Sequence, residues 1–187
     1  MSVGLSLSKA TGDSAAEGGA SLDASAQVHQ YLTFTLGFDR FGVPILSVLE
    51  IIEYEPPAPV PGLPSLFSGI INLREAAVPV IELATCLNRS AEIISKRTCI
   101  LIVETATHAK HRRVGFIVDS VSEVMDIDPK SIDAPPVVGS MAAEPYLIGT
   151  GRIPRDPFDL ESSGVVVLLD FEPLIAMFAG EPLGALQ

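Results

Sequence analysis

The chain has 187 residues, 48% of them hydrophobic, with a mean hydropathy of +0.41, a formal net charge of −11 and two cysteines. This is enough apolar mass for one ordinary domain or two small ones, and the acidic balance argues against nucleic acid or an anionic membrane as main partner. No apolar run reaches the ~18 residues of a membrane span, the N-terminus lacks a secretory pattern, and Cys86 and Cys99 cannot build a disulfide framework, which together suggest a cytosolic, reducing setting with both thiols buried.

Residues 1–28 are rich in Ala, Ser and Gly and hold no aromatic residue, so a disordered tail is expected there, with the folded part beginning near His29. YLTFTLG (31–37) alternates apolar residues with threonine, as a half-buried strand does. FGVPI (41–45) follows a turn, and Pro44, which lacks a ladder donor, predicts an edge or bulged strand. ILSVLEII (45–52) suggests one helical turn running into a strand. PPAPVPGLP (56–64) holds five of the fifteen prolines and reads as a stiff connector, and SLFSG (65–69) as one helical turn.

ILIVE (100–104) is an unbroken apolar run, the mark of a strand covered on both faces. THAKHRR (107–113) is a basic loop, and VGFIVDSVSEVMDI (114–127) alternates on either side of a turn. DAPPVVG (133–139) is a second proline-marked connector. YLIGTGRI (146–153) and GVVVLLD (164–170) read as two more strands, with PRDPFDLESS between them as an exposed insertion. FEPLIAMF (171–178) has helical spacing, with Asp170 as N-cap and Gly180 as stop. Nine or ten short strands and one closing helix favour small barrels or a sandwich over a parallel βαβ sheet.

No catalytic constellation stands out. His108 and His111 form an HxxH pair, but the neighbouring cations oppose metal binding and no carboxylate or cysteine sits beside them. The cysteines lack CxxC spacing, and there is no GxSxG, phosphate-binding glycine loop or HExxH. Gly149-Thr150-Gly151 fits a turn or bulge, and Asp119 a turn cap. Neither a metal nor a cofactor is expected. Seven of the twelve basic residues lie between Arg74 and Arg113, so a local basic face is compatible with the acidic whole.

Three stretches in order resemble the CheW family of bacterial chemotaxis coupling proteins: FTLGFDRFGVPILSVLEI (34–51), GIINLREAAVPVIEL (69–83) and VGFIVDSVSEVMDI (114–127). The second is similar to the family's GxxNLRGxxxPxxDL pattern. The resemblance implies a mainly β fold of two intertwined five-stranded SH3-like barrels with a C-terminal helix, over residues 29–180, with 181–187 a short tail. It implies a non-catalytic adaptor, cytoplasmic at membrane-associated receptor arrays, that joins chemoreceptor tips to the regulatory domain of a CheA-type histidine kinase. Rings with other CheW-like proteins are a further implied partnership. The other reading it leaves open is a scaffold or competitor in an accessory twitching or surface-sensing pathway.

By the resemblance, Val48, Glu50, Gly69, Asn72, Arg74, Cys99, Val121 and Val124 line or flank the receptor-contact groove between the barrels. The alternatives are that Asn72 caps its own turn, that Arg74 pairs with Glu75 or Glu82, that the valines and Cys99 are core, and that Gly69 serves backbone packing. Glu75 stands where the family has glycine, which raises the question of whether a left-handed backbone is needed there.

Overall fold

The structure, a computed structural model, describes residues 29–74, 76–105, 112–135, 144–153 and 164–178. The predicted tails, the THAKHRR histidines, the PRDPFDLESS insertion, Gly180 and Glu75 lie outside the described residues. In chain order the strands are β1 (Gln30–Leu36), β2 (Asp39–Pro44), β3 (Val48–Glu53), β4 (Phe67–Leu73), β5 (Ala76–Glu82), β6 (Cys99–Thr105), β7 (Arg112–Val118), β8 (Ser120–Asp126), β9 (Leu147–Arg152) and β10 (Val165–Leu169). Two α-helices, α1 (Leu83–Cys86) and α2 (Phe171–Phe178), follow β5 and β10, and a 3-10 turn at Ile45–Ser47 leads into β3.

The strands form two five-stranded sheets, β8-β1-β2-β10-β9 and β3-β6-β7-β5-β4. The second sheet is one continuous run of the chain, β3 to β7, set between the strands of the first, which takes β1 and β2 from before it and β8, β9 and β10 from after it. The expected intertwining is therefore an insertion: the chain leaves the first sheet after β2, completes the second, and returns at β8. The two sheets follow one plan. In each, both antiparallel edge pairings shift register: between Leu32 and Phe34 against β8 and between Leu168 and Leu169 against β9 in the first, between Val48 and Glu50 against β6 and between Phe67 and Gly69 against β5 in the second. In the first case Thr33 Oγ1 donates to the Glu123 carbonyl at 2.8 Å and accepts from the Glu123 N–H at 3.3 Å, which pins the bulge.

Each sheet also closes by the same device. The connector after β3 makes a bridge from Ala58 to Ile70 on β4, and the one after β8 makes a bridge from Asp133 to Thr150 on β9. Because the connector backbone lies directly against the strand, a side chain at Gly69 or Gly149 would collide with the carbonyl oxygen of Ala58 or Asp133. Glycine is required at these two places by close approach. The Gly149 stretch, read as a turn or bulge, is the bulge: β9 and β10 shift register between Leu168 and Leu169.

Three apolar clusters result. One lies within the second sheet (Ile71, Val78, Val80, Ile100, Ile102 and Ile117) and one within the first (Tyr31, Ile127, Ile153, Val166 and Leu168). The largest joins the two, with Leu32, Phe34 and Phe41 from one sheet, Leu101, Val103 and Phe116 from the other, and Phe171, Leu174 and Ile175 from α2. Successive strand residues point to opposite faces, so Ile100 and Ile102 enter one cluster and Leu101 and Val103 the other. That is why the ILIVE run does not alternate. The ring of Phe171 stacks on Phe116 at 4.5 Å and on Phe34 at 6.5 Å, so one helical side chain touches both sheets. Asp170 Oδ1 accepts from the Glu172 N–H at 2.9 Å, as expected of the N-cap.

Four readings are corrected or extended. β2 is an interior strand, between β1 and β10; Pro44 is tolerated because it ends the strand and the β2–β10 pairing covers only Phe41 and Gly42. SLFSG is a turn at Ser65 and Leu66 that enters β4, since Phe67 must reach the central cluster. The four-residue α1 had no cap or periodic signal to reveal it; it occurs where Leu83 and Ala84 are drawn into the core. Both cysteines are free but only half-buried.

Truncating Phe171 removes the contact shared by both sheets. Phe171→Ala should cost about 3–5 kcal/mol of stability, read as a lowered urea midpoint with an unchanged slope. A cost below about 1 kcal/mol would show that the helix is peripheral to the fold.

Candidate functional site

The polar cluster Asn72-Leu73-Arg74 sits at the end of β4 and its turn into β5. Arg74 is the residue with left-handed backbone, at φ 49, and it is 76% exposed. Its Nη2 donates to Glu50 Oε2 at 3.0 Å, with the carboxylate largely covered. Glu50 lies on β3 and Arg74 just past β4, the two opposite edges of the second sheet. The ion pair therefore spans the seam where that sheet closes, and the pairing considered with Glu82 does not form. A guanidinium has five N–H donors, and the Glu50 bond uses one. Asn72 is exposed, and among the described residues its side chain accepts or donates no hydrogen bond.

Val48, Cys99 and Val121 are partly buried against the central cluster, at its margin. Cys99 approaches the Val121 backbone, so the starts of β6 and β8 meet there. Burial raises the Cys99 thiol pKa, the Val121 backbone opposes the shift, and the Glu53 charge adds to it. Cys99 Sγ donates to the Arg97 carbonyl at 3.2 Å. Val124, further along β8, is exposed. Of the eight predicted residues, two pairs thus come into contact, Arg74 with Glu50 and Cys99 with Val121. Val48 stands two residues before Glu50 on the same strand. Gly69 stands apart, against its connector, in the packing role considered for it.

Leu49 and Ile51, both exposed beside Glu50 on β3, escaped the sequence reading. β3 alternates, with Val48, Glu50 and Ile52 turned inward and Leu49, Ile51 and Glu53 outward, but each face carries apolar residues and one glutamate, so the residue types alone could not tell the inner face from the outer. Asp119 behaves as expected of a turn cap: its Oδ2 accepts from the Gly37 N–H at 2.6 Å. Cys86 lines a cleft of about 300 Å³ beside α2 with Tyr146, Leu174 and Met177. Its thiol is pushed up to about 11, first by burial and then by the nearby Glu82 charge.

The geometry defines a class: a β module of two closed sheets, one inserted in sequence within the other, a helix docked between them, and a seam where Arg74 meets Glu50. The chain belongs to the CheW-like domain family, whose model matches residues 30–178. The chemotaxis protein CheW of Klebsiella aerogenes is 28% identical over 147 residues, which is 79% of this chain and 81% of that protein. Protein FrzA of Myxococcus xanthus is 31% identical over 129 residues, 68% of this chain and 78% of that protein. The crystal structure of the scaffolding protein TtCheW from Thermoanaerobacter tengcongensis matches with a TM-score of 0.64 at 27% identity, covering 77% of this chain and 85% of that one.

The raised Cys86 pKa carries a sign. The folded state holds the thiol proton more tightly than the unfolded chain, so its contribution to stability is present below pH 9 and is lost as pH rises from 9 to about 11. Comparing wild type with Cys86→Ala across that window should show a steeper fall in melting temperature for wild type. At pH 8 only about one thiol in a thousand is ionised at such a pKa, so Cys86 in the folded protein should alkylate about a hundredfold more slowly than in the unfolded chain. Rapid alkylation of folded protein at pH 8 would contradict the burial.

Proposed function

We propose that this chain is a coupling adaptor of a chemosensory array, which joins chemoreceptor tips to a CheA-type histidine kinase by binding alone. The observation that carries this reading is the family match across residues 30–178, supported by relatives named for chemotaxis and by a solved relative described as a scaffold. Among the described residues, no helix is long and apolar enough to cross a membrane. The adaptor therefore reaches a membrane array through its partners. Contacts of modest area gain strength when several are made at once in an array.

Within that function, the Arg74 corner is the receptor contact. A left-handed, non-glycine residue is held in place by its surroundings, as residues at contact sites often are. The bond to Glu50 orients the guanidinium, and its remaining donors face outward toward a partner carboxylate or carbonyl. Val48, Cys99, Val121 and Val124 supply the apolar part of the same contact, and Asn72 a free amide beside it. The kinase regulatory domain uses another face, so that both partners bind together.

Receptor signalling fragment and kinase regulatory domain, measured separately by surface binding, test this assignment. Arg74→Glu places two carboxylates together and should weaken receptor binding at least tenfold, while kinase-domain binding and the melting temperature stay close to wild type, since an exposed ion pair contributes only about 0–1 kcal/mol. Undiminished receptor binding would remove the site from Arg74. Failure of the wild-type chain to bind either partner would remove the adaptor reading.

A further inference from the structure

A second exposed apolar patch lies where the β1–β2 turn of the first sheet meets the loop leading into β6 of the second. Phe38, at the tip of the β1–β2 turn, is 84% exposed, and Ile93 and Ile94, in the loop between α1 and β6, are 91% and 55% exposed. They are brought to one place by two contacts. Arg89 forms an ion pair with Asp39, and the Glu92 carboxylate lies over Gly37. The residues on either side of Phe38 thus each touch the loop that carries the two isoleucines.

The loop is ordered at both ends. The Arg89 N–H donates to the Ala84 carbonyl at 2.8 Å, and the Ser95 N–H to Thr98 Oγ1 at 2.9 Å. Residues 88–97 are nevertheless all exposed and have no helix or strand. Clustered large apolar side chains on a surface mark a contact site. The charge around them selects the partner. In a chain of net charge −11, this loop has three cations, Arg89, Lys96 and Arg97, against the one carboxylate of Glu92. Among the described residues Lys96 and Arg97 form no ion pair. A two-fold contact with a second copy would set one cationic rim against another.

We propose that the Gly37–Arg40 turn and the Asn88–Arg97 loop form a docking surface for an acidic, apolar-striped helical segment of a partner protein. Phe38, Ile93 and Ile94 take the apolar stripe, and Lys96 and Arg97 pair with its flanking carboxylates, as in other helix-on-surface contacts. The surface does not include Arg74 and adjoins Cys99, whose thiol donates to the Arg97 carbonyl; its occupant does not depend on the adaptor reading.

The test uses the full chain and two synthetic amphipathic peptides that share one leucine stripe, flanked by glutamates in the first and by lysines in the second. The acidic peptide should shift backbone amide resonances of residues 37–40 and 88–97, bind at least tenfold tighter than the basic one, and weaken as salt rises. Phe38→Ser/Ile93→Ser, exposed positions whose change leaves the melting temperature near wild type, should lose at least tenfold. Lys96→Glu/Arg97→Glu should reverse the preference between the peptides. Equal binding of the two peptides, no binding of the acidic one, shifts confined elsewhere, or full binding by the folded serine variant would each overturn the proposal. Neither receptor nor kinase enters the experiment, so its outcome is separate from that of the adaptor reading.

Discussion

The insertion of one sheet within the other is the constraint from which the rest of this structure follows. The first sheet is complete only when β8, β9 and β10 return beside β1 and β2 across the intervening β3–β7. The apolar faces left over by the two sheets are buried against each other, and α2 seals them with Phe171 between Phe34 and Phe116. β6 and β7 are then covered on both faces along most of their length, which is how a chain of ordinary length buries three clusters with short strands.

The candidate site depends on that constraint. Glu50 is placed by the first strand of the inserted sheet, at one edge, and Arg74 by the turn after the strand at the opposite edge, so the pair exists only when the second sheet has closed. Val121 reaches Cys99 because β8 has returned to the first sheet. The side chains at the margin between the sheets are thus fixed by the topology rather than by their local segments. A connector protein benefits from this, since a contact at one edge is rigidly related to contacts at the other. The Phe38–Ile93 patch differs in being built from a turn and a loop, held by one surface ion pair and by backbone bonds at the loop ends.

Much of this was legible in the residues. Alternation in YLTFTL, the unbroken ILIVE run and the helical spacing of FEPLIAMF marked elements that are present, and the three family-like stretches carried the fold. What local pattern could not carry was partnership. Nothing near Arg74 in sequence points to Glu50, which is 24 residues earlier and on a strand that is not its neighbour. Pro44 misled because a proline at a strand end has the same sequence signal as one at an edge. Apolar residues on both faces hid the outward face of β3, and α1 is too short to show a period. Glu75 was a concern for its backbone, yet among the described residues of that turn the left-handed conformation falls on Arg74.

The most direct measurement of this interdependence is native-state amide hydrogen exchange across a series of low denaturant concentrations. If the sheets are one body, the slowest amides of both, Val43 and Leu168 in the first and Val80 and Phe116 in the second, open with the same free energy and the same denaturant slope. A sheet whose amides exchange through a separate, cheaper opening, while the other stays protected, would contradict the account.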